Sequence, residues 1–310
     1  MIDKLDFILA LARERHFGRA AEACGVTQPT LSAGVKQLEE QLGVLLVSRG
    51  SRFQGFTPEG ERVLEWARRI VGDSRAMREE IKSLRHGLTG QLRLAAIPTA
   101  LPMIAALTTP YRERHPNVRF TVYSRTSIEI LQLLENLEID AGVTYLDNEP
   151  LGRVNAVPLY HERYRLLTSA DAPLGNRDSV TWAEVAQVPL CLLTPDMQNR
   201  RIIDGLLRGA GGESRPTLES DSMILLFSHV RTGRWASVMP AKLAETLGLT
   251  DTIRSIPITK PEAVHTIGLV APAREPMTPT TAALVLEAKA LAPRLDATVP
   301  APLAARRRHG

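Results

Sequence analysis

The stretch Phe17–Gly43, FGRAAEACGVTQPTLSAGVKQLEEQLG, has the pattern of two short helices joined by a tight turn. The pair Ala20–Ala21 lets a second helix approach closely, and Gly25 suits the turn. Thr27 is a good N-cap, and Pro29 falls in the first helical turn, where backbone N–H groups have no intrahelical partner. The apolar residues that follow at helical spacing are Leu31, Val35, Leu38 and Leu42. The stretch therefore predicts a helix-turn-helix.

A long helix is predicted directly after this region. Thr57 is a good N-cap with Pro58 at the first helical position, and Gly87 and Gly90 supply the stop. A helix of about 30 residues spans roughly 45 Å, which is long for one domain. Its apolar positions alternate spacings of four and three, as in a coiled-coil seam, and are Val63, Ala67, Ile70, Ser74, Met77, Ile81, Leu84 and Leu88, with Ser74 as the polar member. The pattern favours dimerisation through this helix, and a helix packed on its own core is the alternative.

From residue 90 onward strands and helices alternate. Strands are predicted at QLRLAAIP (Gln91–Pro98), VRFTVYSR (Val118–Arg125) and IDAGVTY (Ile139–Tyr145), with a helix in each interval. This order favours parallel strands with right-handed crossovers. These segments predict a first α/β subdomain that begins at residues 89–163.

The remaining residues predict a second α/β subdomain. Residues 164–265 repeat the alternation of strands and helices, with strands such as PLCLLT and WASVMP and a helix through IIDGLLRG. A last strand, HTIGLVAP, and the helix from Pro279 to Leu291 are expected to return to the first subdomain over residues 266–295. The tail at residues 296–310 is predicted to be disordered.

The composition is that of an ordinary soluble protein, with 44% apolar residues, 23% charged residues and a net charge of +4. No run approaches the roughly 20 apolar residues that span a membrane, and the N-terminus has the pattern of an amphipathic helix, so we expect a cytoplasmic location and no membrane partner. Cys24 and Cys191 lie far apart, which argues against a disulfide framework or a cysteine zinc site. We expect both to be buried, with a redox-sensing pair as the alternative.

The run from Phe17 to Gly50, FGRAAEACGVTQPTLSAGVKQLEEQLGVLLVSRG, continued by the loop RGSRFQGFTPEG and a long helix, resembles the N-terminus of LysR-type transcriptional regulators. The resemblance extends over essentially the full chain. It implies an N-terminal all-α winged helix-turn-helix (residues 1–57), a long linker helix (residues 58–88) and an α/β two-subdomain effector domain similar to periplasmic binding proteins. Within the family, the run from Arg13 to Glu39, RERHFGRAAEACGVTQPTLSAGVKQLE, together with the loop RGSRFQGFTPEG, resembles regulators associated with formate dehydrogenase genes.

The resemblance implies that the helix beginning at Thr27 enters the major groove of double-stranded promoter DNA. The implied DNA contacts are Thr27, Gln28, Pro29, Thr30, Ser32 and Lys36 on this helix and Arg49 and Arg52 in the wing. Glutamine can bond adenine in two places, and the wing arginines match minor-groove or phosphate contacts. The family often has arginine where this chain has Ala33, reading LSRQI in place of LSAGV, so a possible guanine contact is missing here.

The resemblance also implies a small-molecule effector in the cleft between the two subdomains. The implied contacts are Thr99, Ala100, Thr126, Ser127, Thr144, Tyr145, Thr194, Gln198, Asn199 and Arg200. Hydroxyls and N–H groups at helix N-termini suit a small carboxylate or another small anion. Each residue alone is also a candidate helix cap, and Ser127 is a natural N-cap. The pair Arg200–Arg201 is expected either to bind a carboxylate or to lie solvated.

An α/β enzyme and a transport binding protein are the alternative classes. The sequence has no G-x-S-x-G elbow, phosphate-binding loop or H-E-x-x-H motif, and its seven histidines are not spaced like a metal site. We therefore expect no catalytic residue, metal or cofactor. The resemblance implies a homodimer through the linker helix, paired into a homotetramer. Ligand binding would change the promoter bend and the access of RNA polymerase.

Overall fold

A computed structural model describes residues 1–48, 53–213, 215–249 and 252–297. The chain divides into two compact units. The first unit combines Met1–Thr89 with the short segments Leu133–Glu138 and Arg274–Pro279, and the second holds the remaining residues. Separate clusters of buried apolar side chains form the core of each unit.

The first unit is built on four helices: α1 (Ile2–Glu14), α2 (Phe17–Ala23), α3 (Gln28–Leu42) and α4 (Pro58–His86). Side chains from all four meet in one core, among them Ile8, Ala20, Leu31 and Leu64, each nearly inaccessible to solvent. The small side chain of Ala20 allows α2 and α3 to cross closely. The predicted helix-turn-helix is therefore confirmed in its helices and in its buried face.

Capping residues fix the turn between α2 and α3. Gly25 has a φ of 66°, and the backbone N–H of Val26 donates to the carbonyl of Ala21 over 3.0 Å, which ends α2. Thr27 begins α3, because its Oγ1 accepts a hydrogen bond from the backbone N–H of Thr30 at 3.4 Å. The predicted turn glycine and threonine cap are both observed.

The linker helix α4 is 29 residues long and is capped as predicted. Thr57 Oγ1 accepts a hydrogen bond from the backbone N–H of Gly60 at 3.0 Å. Glycine is required at position 60, because a Cβ atom there would lie 2.1 Å from the carbonyl oxygen of Leu46. The residues of the predicted seam differ in burial. Ala67 lies in the core of its own unit, whereas the large apolar side chains exposed on α4 are Trp66, Ile70, Met77, Ile81 and Leu84. Ala67 is therefore a core residue, and Trp66 continues the exposed stripe in its place.

The second unit contains ladders of strands covered by helices. In chain order its elements are β1 (Gly90–Ala96), α5 (Leu101–Arg114), β2 (Val118–Ser124), α6 (Ser127–Glu135), β3 (Ala141–Tyr145), β4 (Val154–Ser169), β5 (Val180–Thr181), α7 (Trp182–Val185), β6 (Cys191–Leu193), α8 (Gln198–Gly209), β7 (Leu218–Ser220), α9 (Met223–Val230), β8 (Ser237–Pro240), α10 (Ala241–Thr246), β9 (Ile253–Thr259), β10 (Val264–Pro272) and α11 (Pro279–Ala297). Strand β1 pairs in parallel with β2 and β3, as the alternation of strands and helices predicts.

Strand β4 is shared by the two halves of this unit. Between Val154 and Arg163 it pairs antiparallel with β10, which also pairs with β3. From Tyr164 onward it pairs antiparallel with β8 and β9. One continuous strand thus runs out of a sheet ordered β2-β1-β3-β10-β4 and into the sheet of the second half.

The second half differs from the alternating α/β pattern with parallel strands that the sequence suggested. Its parallel pairs are β5 with β9 and β6 with β7, whereas β8 and β9 run antiparallel to β4. The reason is that β4 enters as the continuation of a strand from the first half, and its direction is already set. Elements α9, α10, β7 and β9 were not predicted, because three to eight residues are too few to show a clear period.

The end of the chain also differs from the prediction. Helix α11 continues through Ala297, and Asp296 Oδ1 accepts a hydrogen bond from the backbone N–H of His161 at 3.1 Å. The predicted disordered tail is therefore wrong for residues 296 and 297, and residues 298–310 lie outside the described part.

Gly34 in α3 lies against the ring of Phe7 in α1, where an added Cβ atom would lie 2.6 Å from Cδ2. We predict that Gly34→Ala lowers the free energy of unfolding by about 1–3 kcal/mol, because overpacking exceeds the helical preference of alanine. Urea unfolding measures this change. Gly205→Ala in α8 is the matched control, since nothing lies within 4 Å of its Cβ position, and it should stabilise by about 0.5–1 kcal/mol. Equal stabilisation by both substitutions would contradict the packing argument.

Candidate functional site

The outward face of α3 presents the helix residues of the predicted DNA-contact set. Thr27, Gln28, Pro29, Thr30 and Lys36 are exposed and Ser32 is half-buried, while Leu31, Gly34, Val35 and Leu38 form the buried face. Lys36 Nζ lies 3.8 Å from Glu40 Oε1 in a solvent-exposed ion pair, which is weak and easily exchanged for a phosphate contact.

The adjacent residues Ala33 and Gly34 lie on opposite faces of α3, one exposed and one buried. Ala33 is exposed beside Ser32, whereas Gly34 faces the core and contacts Phe7. Gly34 therefore belongs to the buried face of α3, whereas Ala33 shares the exposed face.

The two predicted wing arginines, Arg49 and Arg52, lie outside the described residues. The base of the wing is described: Val47 forms an antiparallel bridge with Phe56, and the rings of Phe53 and Phe56 lie 5.3 Å apart, edge to face. These contacts hold Phe53 and Phe56 against the core of the first unit.

In the second unit, two predicted effector contacts lie at the carboxyl ends of adjacent parallel strands. Thr99 follows β1 and Thr144 lies within β3; both side chains are buried, and neither Oγ1 atom has a hydrogen-bond partner among the residues that the structure describes. Ala100 is fully buried before α5. Unsatisfied buried hydroxyls carry a cost in free energy, so such atoms are candidates for contact with a ligand or a bound water.

The N-terminus of α6 is capped by a different residue from the one predicted. Thr126 and Glu129 form a reciprocal capping box: Thr126 Oγ1 accepts from the backbone N–H of Glu129 at 3.2 Å, and Glu129 Oε2 accepts from that of Thr126 at 2.9 Å. Ser127, the predicted cap, is instead buried and donates to Glu149 Oε2 at 3.5 Å.

The first turn of α8 is joined to the end of β3 by amide side chains. Gln198 Nε2 donates to the carbonyl oxygen of Asp147 at 3.1 Å, and Asn199 Nδ2 donates to the hydroxyl of Tyr145 at 3.0 Å. Thr194, half-buried in the preceding loop, provides the carbonyl that accepts from the backbone N–H of Met197 at 3.1 Å. The predicted contacts from the two halves of the unit are thus brought together here.

The arginines of α8 are held by carboxylates of the chain itself. Arg200 is buried and donates to Asp204 and Glu219, at 2.7 Å each, and to the carbonyl of Leu193 at 2.7 Å. Arg201 forms an ion pair with Glu149 at 2.6 Å. Both guanidinium groups are therefore paired with carboxylates of the described residues, and the contact of Arg200 with an effector stays a prediction.

The sequence analysis missed Glu162, a glutamate of β4 that is only 1% exposed. Its Oε1 accepts a short hydrogen bond from the hydroxyl of Tyr145, and Oε2 has no partner. The hydroxyl of Tyr164 lies 3.5 Å from that of Tyr145. Burial raises the pKa of Glu162 to about 8, although the hydrogen bond from Tyr145 and the nearby polar groups of Tyr164 and Asn199 oppose this increase. The signal in the sequence was the alternation YHERY, which places Tyr160, Glu162 and Tyr164 on one face of a strand.

The two cysteines of the chain lie in different units. Cys24 is half-buried in the first unit, which corrects the expectation of full burial, and Cys191 is buried in β6. Burial raises the pKa of both thiols, that of Cys191 to about 11. Cys191 Sγ lies within hydrogen-bonding distance of the carbonyls of Leu226 and Ala236. Neither thiol has the depressed pKa that marks a reactive cysteine, which argues against the redox-sensing alternative.

The described part of the chain shows neither a candidate metal site nor a candidate membrane-spanning helix. No group of three or more histidine, cysteine, aspartate or glutamate side chains there is arranged to hold a metal ion. In the same residues no helix is long and apolar enough to cross a membrane.

Comparison with known proteins gives matches over both units. Residues 2–61 match the bacterial regulatory helix-turn-helix protein family of the lysR type, and residues 85–292 match the LysR substrate binding domain. The DNA-binding transcriptional dual regulator OxyR of Escherichia coli strain K12 is 30% identical over 270 residues, which cover 87% of this chain and 88% of OxyR. The hydrogen peroxide-inducible genes activator of Dickeya chrysanthemi is 28% identical, with 87% and 88% of the two chains covered.

A solved structure of a full-length OxyR variant from Pseudomonas aeruginosa has the same architecture. Its TM-score is 0.73 at 27% sequence identity, and 94% of each chain is covered. These relatives are transcription regulators and not enzymes. The chain therefore belongs to the LysR family of DNA-binding transcriptional regulators, with an N-terminal helix-turn-helix and a LysR-type substrate-binding domain.

Proposed function

We propose that this regulator acts in the cytoplasm as a dimer of dimers on promoter DNA, and that a small anionic metabolite bound between the two halves of the second unit controls it. The effector changes the bend of the promoter and the access of RNA polymerase. The observation that carries the effector site is the pair of buried, unpartnered hydroxyls at Thr99 and Thr144.

The exposed face of α3 supports the role in DNA reading. Its polar groups at Gln28, Thr30 and Ser32 point away from the core, and Lys36 adds a positive charge. These groups suit hydrogen bonds to base edges and phosphates. Because the helix itself carries few charges, the wing arginines Arg49 and Arg52 and a second copy of the chain would supply the rest of the electrostatic attraction.

The exposed apolar stripe of α4 supports dimerisation through the linker helix. Its members are Trp66, Ile70, Met77, Ile81 and Leu84, and Leu84 is 78% exposed. Side chains this large and this exposed along one helix mark an interface, because a second copy removes them from water. The stripe runs alongside the residues that the first unit buries in its own core.

The chemistry of the second unit supports a small anion as the effector. Thr99 and Thr144 can donate from their hydroxyls, and the amides of Gln198 and Asn199 lie in the first turn of α8. Arg200 is left out of the proposed contacts, because its guanidinium is already paired. The resemblance to regulators associated with formate dehydrogenase genes makes small carboxylates the first effectors to test.

The peroxide response in the printed name of one relative is not proposed for this chain. A thiol reacts with peroxide as the thiolate, and burial raises the pKa of both Cys24 and Cys191. Neither cysteine belongs to the set of side chains that links β3, β4 and α8.

We predict that Gln28→Ala relaxes base preference, at a cost of about 1–3 kcal/mol on the preferred site, because it removes a base contact. Lys36→Ala should weaken binding to all sequences and lower the salt dependence by about one unit, because it removes a phosphate contact. Gel retardation on upstream DNA and on mutated sites measures both effects. Gln41→Ala, at an exposed position near the end of α3, is the control and should bind as the parent does. Unchanged affinity and preference in the first two variants would overturn the assignment of α3.

The dimer is tested by Ile81→Glu, which places a charge in the exposed stripe of α4. We expect this variant to sediment with a lower mass than the parent and to bind DNA more weakly, since a buried carboxylate opposes association. The neighbouring exposed Lys82→Glu serves as the matched control and should keep the mass of the parent. An Ile81→Glu variant with an unchanged mass would show that the chain associates elsewhere.

Hydrogen peroxide provides a further test. We expect its addition to leave the affinity for upstream DNA unchanged in the parent and in the Cys24→Ser variant, because burial raises the pKa of both thiols and so disfavours the reactive thiolate. Gel retardation before and after treatment measures this. A peroxide-dependent change that disappears in Cys24→Ser would contradict the assignment.

A further inference from the structure

Glu162 lies where β4 passes from one half of the second unit to the other. The pairing partners of β4 change between Arg163 and Tyr164, and the side chain of Glu162 meets groups from three elements. Tyr145 comes from β3, Tyr164 from β4 itself, and Asn199 reaches Tyr145 from α8. The carboxyl group of Glu162 therefore lies among polar groups from both halves of the second unit.

The hydrogen bonds around Glu162 form a chain in which Asn199 donates to Tyr145 and Tyr145 donates to Glu162. Asn199 Nδ2 can only donate, so the Tyr145 oxygen accepts this bond, and the Tyr145 hydroxyl donates in turn to Glu162 Oε1. Oε1 is thus the accepting oxygen. Oε2 is buried and has no partner in the described part of the chain.

The surroundings of Glu162 favour its neutral form. Within the described residues, no lysine, arginine or histidine forms an ion pair with it, and isolated buried carboxylates are costly. The groups that face it are the hydroxyls of Tyr145, Tyr160 and Tyr164, the carboxylate of Asp147, and His265, which lies opposite it in β10. Burial raises its pKa to about 8. Because Oε1 accepts a hydrogen bond, the proton resides on Oε2.

We propose that the Oε2–H group of Glu162 donates a hydrogen bond to a carboxylate oxygen of the effector. This inference rests on the proposed function and names the group that reads the anion. A neutral acid takes the place of a cation here, since Arg200 and Arg201 are paired with Asp204, Glu219 and Glu149. Hydrogen bonds from O–H to a carboxylate are short and strong.

The inference makes effector binding dependent on pH. Ionised Glu162 has no proton to donate and repels an anion, so carboxylate affinity falls by about tenfold per pH unit above the pKa of Glu162. The three tyrosines do not titrate in this range, because burial raises the pKa of each well above its usual value.

The test is calorimetric titration of the full chain with formate, acetate and succinate between about pH 7 and pH 9.5. The parent should show the tenfold decrease per unit above about pH 8 and should take up a proton on binding, which two buffers of different ionisation enthalpy reveal. Glu162→Gln keeps an N–H donor but does not titrate, so it should bind within a few-fold of the parent at pH 7 and show neither effect. The exposed Glu262→Gln should behave as the parent does.

Three results would overturn the inference: a carboxylate affinity of the parent that does not change with pH, the same decrease in Glu162→Gln, or no binding of any of the three carboxylates. The pH profile of the parent needs no variant and is independent of how Glu162→Gln folds. Failure of the proposed function appears separately, as pH-dependent carboxylate binding with no effect on the DNA complex.

Discussion

Strand β4 is the constraint on which the effector unit depends. Residues Val154–Arg163 are fixed by the ladder with β10, and residues from Tyr164 onward are fixed by β8 and β9. Two sheets that share one strand cannot slide past each other without breaking one of these ladders. The pairing partners of β4 change beside Glu162, so this residue lies where the two halves meet along the strand.

Polar groups concentrate at that point. The first turn of α8 is joined to the end of β3 through Asn199 and Tyr145, and Gln198 is bonded to the backbone of Asp147. Each of these bonds connects elements of different halves. A ligand can compete for these donors or can accept a hydrogen bond from Glu162. If it binds one arrangement of the two halves more tightly than another, it shifts the equilibrium between the two arrangements by that difference in binding free energy.

The sequence predicted the parts of the structure that depend on local rules. Gly25 and Thr27 define the turn of the helix-turn-helix because a left-handed backbone and a cap each require specific residue types. The length of α4 and the parallel order of β1, β2 and β3 follow from periodicity and alternation in the same way.

What the sequence could not predict depends on partners that are distant in the chain. Gly34 is required by Phe7, and Gly60 by the carbonyl of Leu46. Arg200 is paired with Glu219, which lies 19 residues further along the chain. Glu162 was overlooked because a glutamate in an alternating strand ordinarily faces solvent, whereas here β3 and α8 cover it.

The central claim is that a ligand of the second unit alters how the first unit engages DNA. Footprinting of the full chain on its own upstream DNA, with and without the carboxylate that binds it, tests this most directly. We predict that the ligand changes the length of the protected region and the bend angle. An identical footprint and bend angle with the ligand bound would contradict the account.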